Sequence, residues 1–243
     1  MTSLLLVLIV AASMSLLAAT SKKTLLRVTV SRRGSKSHTL AMLEEFTEHF
    51  KAKYPGCTIV DRATFDVPHI DFDNLEAGRT SVSKHTPDMV EAFKLASELT
   101  KELAAADHVV IATPMYNWGM PSSLKAWFDR VINTHTFYEK TITLAGTPIS
   151  LIIASGGGYS EAGSRGNAER MKMDHLRPHL LTCLTQIGSA VDDIKFIDID
   201  PTAPIDLGIF SRDDPEKSGI VRGRQLLSGC AGRAKGDAAS GEL

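Results

Sequence analysis

Cysteine is scarce in this chain, and neither sign of charge predominates. Three cysteines occur among 243 residues, and none forms a C-x-x-C pair. This spacing argues against a zinc ribbon, a dithiol redox centre or a disulfide scaffold. The formal net charge is −1, which gives no overall attraction to nucleic acid, and we expect no nucleic-acid partner.

Two nucleotide-binding motifs are also absent. There is no G-x-x-x-x-G-K-[ST] loop, so the chain is not a P-loop protein, and no G-x-G-x-x-G, which disfavours a dinucleotide-binding Rossmann site. His175 and His179 have helical spacing, but Pro178 lies between them and the glutamate of H-E-x-x-H is missing. We therefore interpret this pair as a solvated helix face and expect no metal site.

The N-terminus is apolar and lacks early charge. Residues 4–19 form a continuous apolar run slightly shorter than the ~20 residues that span a bilayer. Two alanines at its end resemble a signal-peptide cleavage region, although no basic residue precedes the run. We interpret residues 1–20 as a targeting or anchoring segment outside the fold. This predicts secretory or organelle targeting, or membrane contact through residues 4–19 only; the alternative is an unstructured start and a cytoplasmic protein.

Apolar, β-branched runs alternate with amphipathic helical patterns along the rest of the chain. The predicted strands are Thr24–Val30, 57–63, 108–113, Pro148–Ser155 and Ile194–Ile199. This order is typical of an α/β fold, a doubly wound five-stranded parallel sheet with helices on both faces. We place this domain at residues 24–229, with a polar surface excursion over 65–85. The small, polar residues 230–243 are predicted to be a disordered tail.

In such a sheet, the loops that leave the carboxyl ends of the strands share one edge, where ligands bind. The loop 31–39 has hydroxyls at Ser31, Ser37 and Thr39, basic residues, and the start of a helix. Hydroxyls, free N–H groups and the helix dipole favour an anion such as phosphate. The alternative is that Ser37 or Thr39 only caps the helix.

The second loop, Pro114–Trp118, carries large flat side chains although aromatic residues make up only 6% of the chain. Tyr116 and Trp118 can lie against a planar ring, and Asn117 can donate and accept at its rim. The alternative is core packing, which we favour for Trp127 and Phe128 on the following helical stripe.

The third loop, Ser155–Tyr159, contains three glycines, whose backbone can approach a flat ligand closely. The alternative is a flexible lid. Together the three loops suit a ligand with a phosphate at one end and a planar, edge-polar ring at the other. FMN has this form.

The stretch AADHVVIATPMYNWGMPSSLKAWFDRV, ending at Val131, resembles the FMN-dependent NAD(P)H azoreductase and quinone oxidoreductase family, which has a flavodoxin-like fold. Members carry P-M-Y-N-[FW], G-[IM]-P and L-K-x-[WY]-[FI]-D at these offsets. The resemblance covers about residues 24–210. It also includes the serine-rich first loop and S-R-G-G in the third, where this chain has Gly156 in place of the arginine. The segment 137–148 is shorter than the corresponding family loop, which leaves substrate choice open.

The resemblance implies roles for particular residues. The phosphate of FMN would be held by Ser31, Ser37, His38 and Thr39. The isoalloxazine would be lined by Met115, Tyr116, Asn117 and Trp118, with Tyr116 and Trp118 also shaping the substrate pocket. Backbone amides at its pyrimidine edge would come from Ser155, Gly156, Gly157 and Gly158. No side-chain acid or base is implied.

The resemblance also implies an activity, a homodimer and two substrates. NADH or NADPH would pass a hydride to FMN, and a quinone or azo compound would then be reduced by two electrons in a ping-pong cycle. The alternatives are a flavodoxin-like FMN electron carrier that does not oxidise NAD(P)H itself, against which the low net charge argues, and a flavin-free interaction protein. The intact P-M-Y-N-W loop disfavours the latter.

Overall fold

In the computed structural model, residues 22–214 and 216–237 are described, and five parallel strands form one sheet in the order β2-β1-β3-β4-β5. The strands are β1 (Thr24–Thr29), β2 (Thr58–Ala63), β3 (His108–Pro114), β4 (Ile149–Ala154) and β5 (Ile194–Asp198). Every neighbouring pair is parallel. This is the flavodoxin-like order, in which the connection reverses direction between β1 and β3 and opens a crevice there. The predicted fold class is confirmed.

Helices cover both faces of the sheet. They are α1 (His38–Lys53), α2 (Phe72–Arg79), α3 (Pro87–Ala105), α4 (Ser122–Val131), α5 (Thr134–Phe137), α6 (Glu161–Ser164), α7 (Ala168–Lys172), α8 (Leu176–Gln186), α9 (Ala203–Asp206) and α10 (Gly219–Ala231). Apolar residues of α1 and α10 pack on one face of the sheet, and those of α3, α4 and α8 pack on the other. The central strands are therefore buried on both sides, which explains why they read as continuous apolar runs.

The excursion predicted over residues 65–85 contains a short helix. Asp71 caps α2, because its Oδ1 accepts a hydrogen bond from the backbone N–H of Asn74 at 2.8 Å. The buried Arg130 on α4 then holds the segment, donating to the carbonyl of Pro68 (3.1 Å) and to Oδ1 of Asn74 (2.9 Å). These polar contacts attach the excursion to the domain. Because they are polar, they produce no apolar periodicity from which the helix could be predicted.

The segment predicted to be a disordered tail, from residue 230, contains the end of a helix and several long-range hydrogen bonds over residues 230–237. Helix α10 ends at Ala231, and buried His108 donates from Nδ1 to the carbonyl of Arg233 at 2.6 Å. The hydroxyl of Tyr54 donates to the carbonyl of Gly232 at 3.0 Å. These long-range hydrogen bonds hold a segment whose composition alone suggests disorder. Residues 238–243 lie outside the described residues.

The localisation predicted from the apolar N-terminal run, by targeting or anchoring, is corrected. Within residues 22–214 and 216–237, none of the helices combines the length and apolarity that crossing a membrane requires. Residues 1–20, on which the prediction depended, lie outside the described residues.

Candidate functional site

A cavity of about 160 Å³ opens at the carboxyl edge of the sheet, where β1, β3, β4 and β5 end. It brings together residues from all three loops identified in the sequence. Those predicted site residues that line it are Ser31, Ser37, His38, Thr39, Met115, Tyr116, Ser155 and Gly156. The other four, Asn117, Trp118, Gly157 and Gly158, belong to the same loops but do not line this cavity.

The N-terminus of α1 faces this cavity with free backbone donors. Ser37 is the N-cap: its Oγ accepts from the N–H of Leu40 at 3.2 Å and shares a hydrogen bond with Oγ1 of Thr39 at 3.0 Å. Ser37 therefore caps the helix. Among the described residues, the N–H groups of His38 and Thr39 have no acceptor. Two free donors at the positive end of a 16-residue helix form a site for an anion.

His38 leaves one hydrogen-bonding position open beside these donors. Its side chain is 8% exposed, and Nε2 lies 2.8 Å from Oδ1 of Asp206. Its Nδ1 is buried and has no partner in the described part of the chain. A buried polar atom without a partner is costly, and a doubly protonated imidazole would donate from this atom to a bound anion.

Asp206 places one carboxylate among the cationic groups of the cavity. Its Oδ2 lies 3.4 Å from the guanidinium of Arg33, on the side opposite the contact with His38. Partial burial raises the pKa of Asp206, but the hydrogen bond and charge of His38, together with the charge of Arg33, outweigh it and hold the pKa below its ordinary value. The carboxylate thus fixes the orientation of both basic side chains.

The aromatic loop is a tight turn with an unusual backbone. Tyr116 and Gly119 exchange backbone hydrogen bonds of 3.2 and 3.0 Å. The two central residues, Asn117 and Trp118, have φ of 47° and 62°. Positive φ at both central positions is the pattern of a type I′ turn, in which Asn is favoured and Gly usually follows. A bulky residue in the left-handed region costs on the order of 1–3 kcal/mol, so the rest of the turn holds Trp118 in a strained conformation.

Both aromatic side chains of the turn are accessible to a ligand. Tyr116 is 49% exposed and Trp118 46%. By contrast, Trp127 on α4 is 1% exposed and packs edge-on against Phe128. The core-packing alternative therefore describes Trp127 and Phe128 but not the two aromatic residues of the turn.

Trp118 also joins the second and third loops. Its Nε1–H donates to the hydroxyl of Tyr159 at 3.0 Å, and its carbonyl accepts from the N–H of His175 at 2.9 Å. Tyr159 is not among the site residues predicted from the sequence. The turn is therefore held to the third loop at one end and to the start of α8 at the other.

The third loop offers hydrogen-bond donors rather than acceptors. The carbonyl of Ser155 accepts from Thr202, that of Gly156 from Ala203, and that of Gly157 from the Ser155 hydroxyl. In residues 22–214 and 216–237, the N–H groups of Gly156, Gly157 and Gly158 donate to no protein acceptor. A ligand edge rich in oxygen and nitrogen acceptors matches this loop.

The site includes a fourth loop that sequence analysis missed. Thr202, Ala203 and Asp206 follow β5 and line the cavity. No motif marks them. Their position follows from the topology, because β5 is parallel to its neighbour and also ends at this edge.

A second cavity, of about 450 Å³, lies between α2, α3 and α4. It shares no residue with the cavity at the sheet edge. Its walls include the buried Arg130, whose pKa is lowered by burial although the charge of Asp71 opposes this. This guanidinium is engaged in the structural contacts to Pro68 and Asn74 described above.

The fold and the donor-rich crevice define a protein of the flavodoxin-like class, and comparison with known proteins agrees. A family described as having a flavodoxin-like fold matches residues 23–206. An FMN-dependent NADH:quinone oxidoreductase of Azotobacter vinelandii is 34% identical over 205 residues, covering 81% of this chain and 92% of that protein. One of the same name from Frankia alni is 30% identical over 204 residues, covering 82% and 92%.

Solved structures show the same architecture. An azoreductase from Bacillus anthracis superposes with a TM-score of 0.69 at 17% identity, covering 86% of this chain and 99% of that one. An FMN-dependent NADH-azoreductase from the same species, solved with FMN, gives 0.68 at 20% identity, covering 86% and 97%. This chain belongs to the family of FMN-dependent NADH:quinone oxidoreductases, as predicted from the P-M-Y-N-W stretch.

Proposed function

We propose that this protein is an FMN-dependent NAD(P)H oxidoreductase that reduces quinones, azo compounds or both by two-electron ping-pong hydride transfer. The observation that carries the proposal is the pairing of two donor surfaces at one sheet edge. One is the start of α1 with His38 and Arg33, and the other is the amide loop Ser155–Gly158. An exposed aromatic turn belongs to the same edge.

The residues at the start of α1 fit a phosphate group. The free N–H groups of His38 and Thr39, the open Nδ1 of His38 and the hydroxyl of Ser31 all belong to one cavity. Its volume of about 160 Å³ is below the ~300–1,000 Å³ of a site for a whole drug-sized ligand. It therefore suits the phosphate end of FMN, with Ser31, Ser37, His38 and Thr39 as the ligands.

The second and third loops fit the ring. Met115, Tyr116, Asn117 and Trp118 offer apolar surface with an amide at its rim. Ser155, Gly156, Gly157 and Gly158 offer N–H groups, of which the three from glycine have no acceptor within the described residues. Uncharged donors held rigidly at a polar edge stabilise negative charge there at little reorganisation cost.

When bound, FMN supplies the hydride chemistry between NAD(P)H and the acceptor. The chain's own residues bind and orient. The aromatic turn limits how a second flat molecule can lie at the site, and its link to Tyr159 holds the turn in place. No side-chain acid or base is required by this proposal.

The visible spectrum of purified protein, before and after anaerobic addition of NADH or NADPH, tests the proposal. Flavin bands that bleach with either nucleotide support it. Bands that persist with both nucleotides but bleach with a chemical reductant would identify an electron carrier instead. The names of the relatives favour the oxidoreductase.

We also propose that the protein acts as a homodimer, as the family resemblance implies. In support, Phe72 on α2 and Tyr138 after α5 are each 75% exposed. Exposed aromatic residues of this kind are enriched at protein interfaces. Light scattering after size exclusion should give twice the mass of one chain, and a single-chain mass would refute the dimer.

A further inference from the structure

A buried carboxylate lies behind the third loop and is not used by the proposed cofactor site. Asp200, after β5, is 0% exposed. Its Oδ2 accepts from the N–H groups of Tyr159 (2.6 Å) and Ser160 (2.9 Å), and its Oδ1 accepts from the hydroxyl of Ser160 (2.5 Å). Three donors that directly follow the glycines thus converge on one carboxylate.

The carboxylate is also in close contact with the glycines. A Cβ on Gly163 would lie 2.5 Å from Oδ1 of Asp200, and a Cβ on Gly158 would lie 2.0 Å from the carbonyl oxygen of Gly163. Neither Gly163 nor Gly158 therefore has room for a side chain. Asp200, Gly163 and Gly158 therefore form a stack in which the position of the carboxylate determines the position of the loop backbone.

The same segment fixes the other end of the loop. The N–H and hydroxyl of Thr202 donate to the carbonyl of Ser155 at 2.9 and 3.2 Å. The N–H of Ala203 donates to the carbonyl of Gly156 at 3.1 Å. With the loop carbonyls satisfied in this way, its N–H groups are the ones left for a ligand.

We propose that Asp200 is a positioning residue for the flavin ring: it holds the N–H groups of Gly156–Gly158 towards the polar edge of the cofactor without touching it. The inference rests on the proposed FMN site and deepens it. Charged hydrogen bonds are about twice as strong as neutral ones, so a carboxylate at this position holds the loop more firmly than an amide would.

The test compares Asp200→Asn with Asp198→Asn in full-length protein freed of flavin. Asp198 lies two residues before Asp200, and its carboxylate pairs with Arg177 instead of with the third loop. Each variant is titrated with FMN and with riboflavin, which has the ring but no phosphate. We expect Asp200→Asn to weaken both ligands by the same factor of about ten, and Asp198→Asn to leave both unchanged.

Two further measurements separate positioning from general stability. Ser160→Ala removes one donor to Asp200 and should weaken both flavins in the same way, which covers the case of an Asp200 variant that does not fold. The midpoint potential of the bound flavin should also fall in these variants, because the loop N–H groups favour the reduced form. A tenfold loss of preference for the two-electron reduced form corresponds to a fall of about 30 mV.

Unchanged affinity for both flavins in Asp200→Asn and Ser160→Ala overturns the inference, even if both variants melt earlier. A loss confined to FMN also overturns it, because that pattern belongs to the phosphate end. Wild-type protein that binds neither flavin overturns the proposed function itself and, with it, this inference.

Discussion

Replacing Trp118 by alanine separates a role in the reaction site from a role in packing, and the chain offers a matched control in Trp127. Truncating a fully buried tryptophan costs about 3–5 kcal/mol. Trp127 is 1% exposed and should show this full cost, whereas Trp118, at 46% exposed, should lose about half of it, roughly 1.5–2.5 kcal/mol. At ~2–4 °C per kcal/mol for a chain of this size, Trp118→Ala should melt about 3–10 °C earlier.

Turnover should be affected more by Trp118→Ala than by Trp127→Ala, the reverse of the order expected for stability. Trp118→Ala should keep most of its FMN, because the contacts of the α1 start and the amide loop remain. It should lose turnover per bound flavin, since even a ~1 Å displacement of a hydride donor can cost ~100-fold. Trp127→Ala should keep normal turnover per flavin-loaded molecule despite its lower melting temperature.

Conservative variants identify which part of Trp118 matters. Trp118→Phe keeps a ring but removes the donor to Tyr159, and Tyr159→Phe removes the acceptor of the same 3.0 Å hydrogen bond. Each should be mild, and the double variant should be no worse than either single one, because they remove one shared interaction. Melting temperature, flavin content and NAD(P)H–quinone turnover are measured on the same preparations. Normal turnover per bound flavin in Trp118→Ala would refute a role for the turn in the reaction.

Three other predictions address the phosphate end, the amide loop and the pH dependence. Ser37→Ala combined with Thr39→Ala should weaken FMN at least tenfold in a fluorescence titration, as each lost bond to a charged group is worth about 1.5–3 kcal/mol; wild-type affinity would contradict the assignment. Gly163→Ala should lower both stability and flavin affinity because its Cβ would meet a buried carboxylate at 2.5 Å, whereas Gly229→Ala, with open space around it, should be neutral or stabilising by up to ~1 kcal/mol in thermal melts. Burial lowers the pKa of His108 to about 4, so below about pH 6.5 the unfolded chain binds a proton that the native state takes up only near pH 4. The free energy of unfolding should therefore fall by roughly 3 kcal/mol between pH 6.5 and pH 4. In urea melts at a series of pH values, the free energy of unfolding of His108→Gln should depend less steeply on pH than that of the wild type; equal dependence on pH would contradict this.

The strands could be predicted from the sequence because burial on both faces leaves a continuous apolar run. The predicted strand Ile194–Ile199, for example, differs from β5 by one residue. The two longest helices that were not predicted, α2 and α10, lack that signal. Helix α2 begins at an aspartate cap and is mostly polar, and α10 contains three glycines. One of these, Gly223, packs so closely on the residue that follows β5 that a Cβ would lie 2.7 Å from Cγ2 of Ile199, a contact that only the folded chain defines.

The candidate site was predictable where a loop had unusual composition and not where topology alone placed a residue. The hydroxyl-rich, aromatic and glycine loops each follow a strand, and these strands end at the same edge of the sheet. Asp200 and Asp206 carry no motif and reach the site only because β5 is parallel to β4. The left-handed backbone of Trp118 was equally hidden, since the sequence shows a bulky residue where this turn usually has glycine.

FMN-dependent oxidation of NAD(P)H is tested most directly by an anaerobic titration of the purified full-length protein with NADH and with NADPH, followed by its visible spectrum. We expect flavin absorbance that bleaches with at least one nucleotide and returns in full when a quinone or an azo dye is added. Protein that carries no flavin and binds none when FMN is supplied, or flavin that neither nucleotide bleaches, would contradict it.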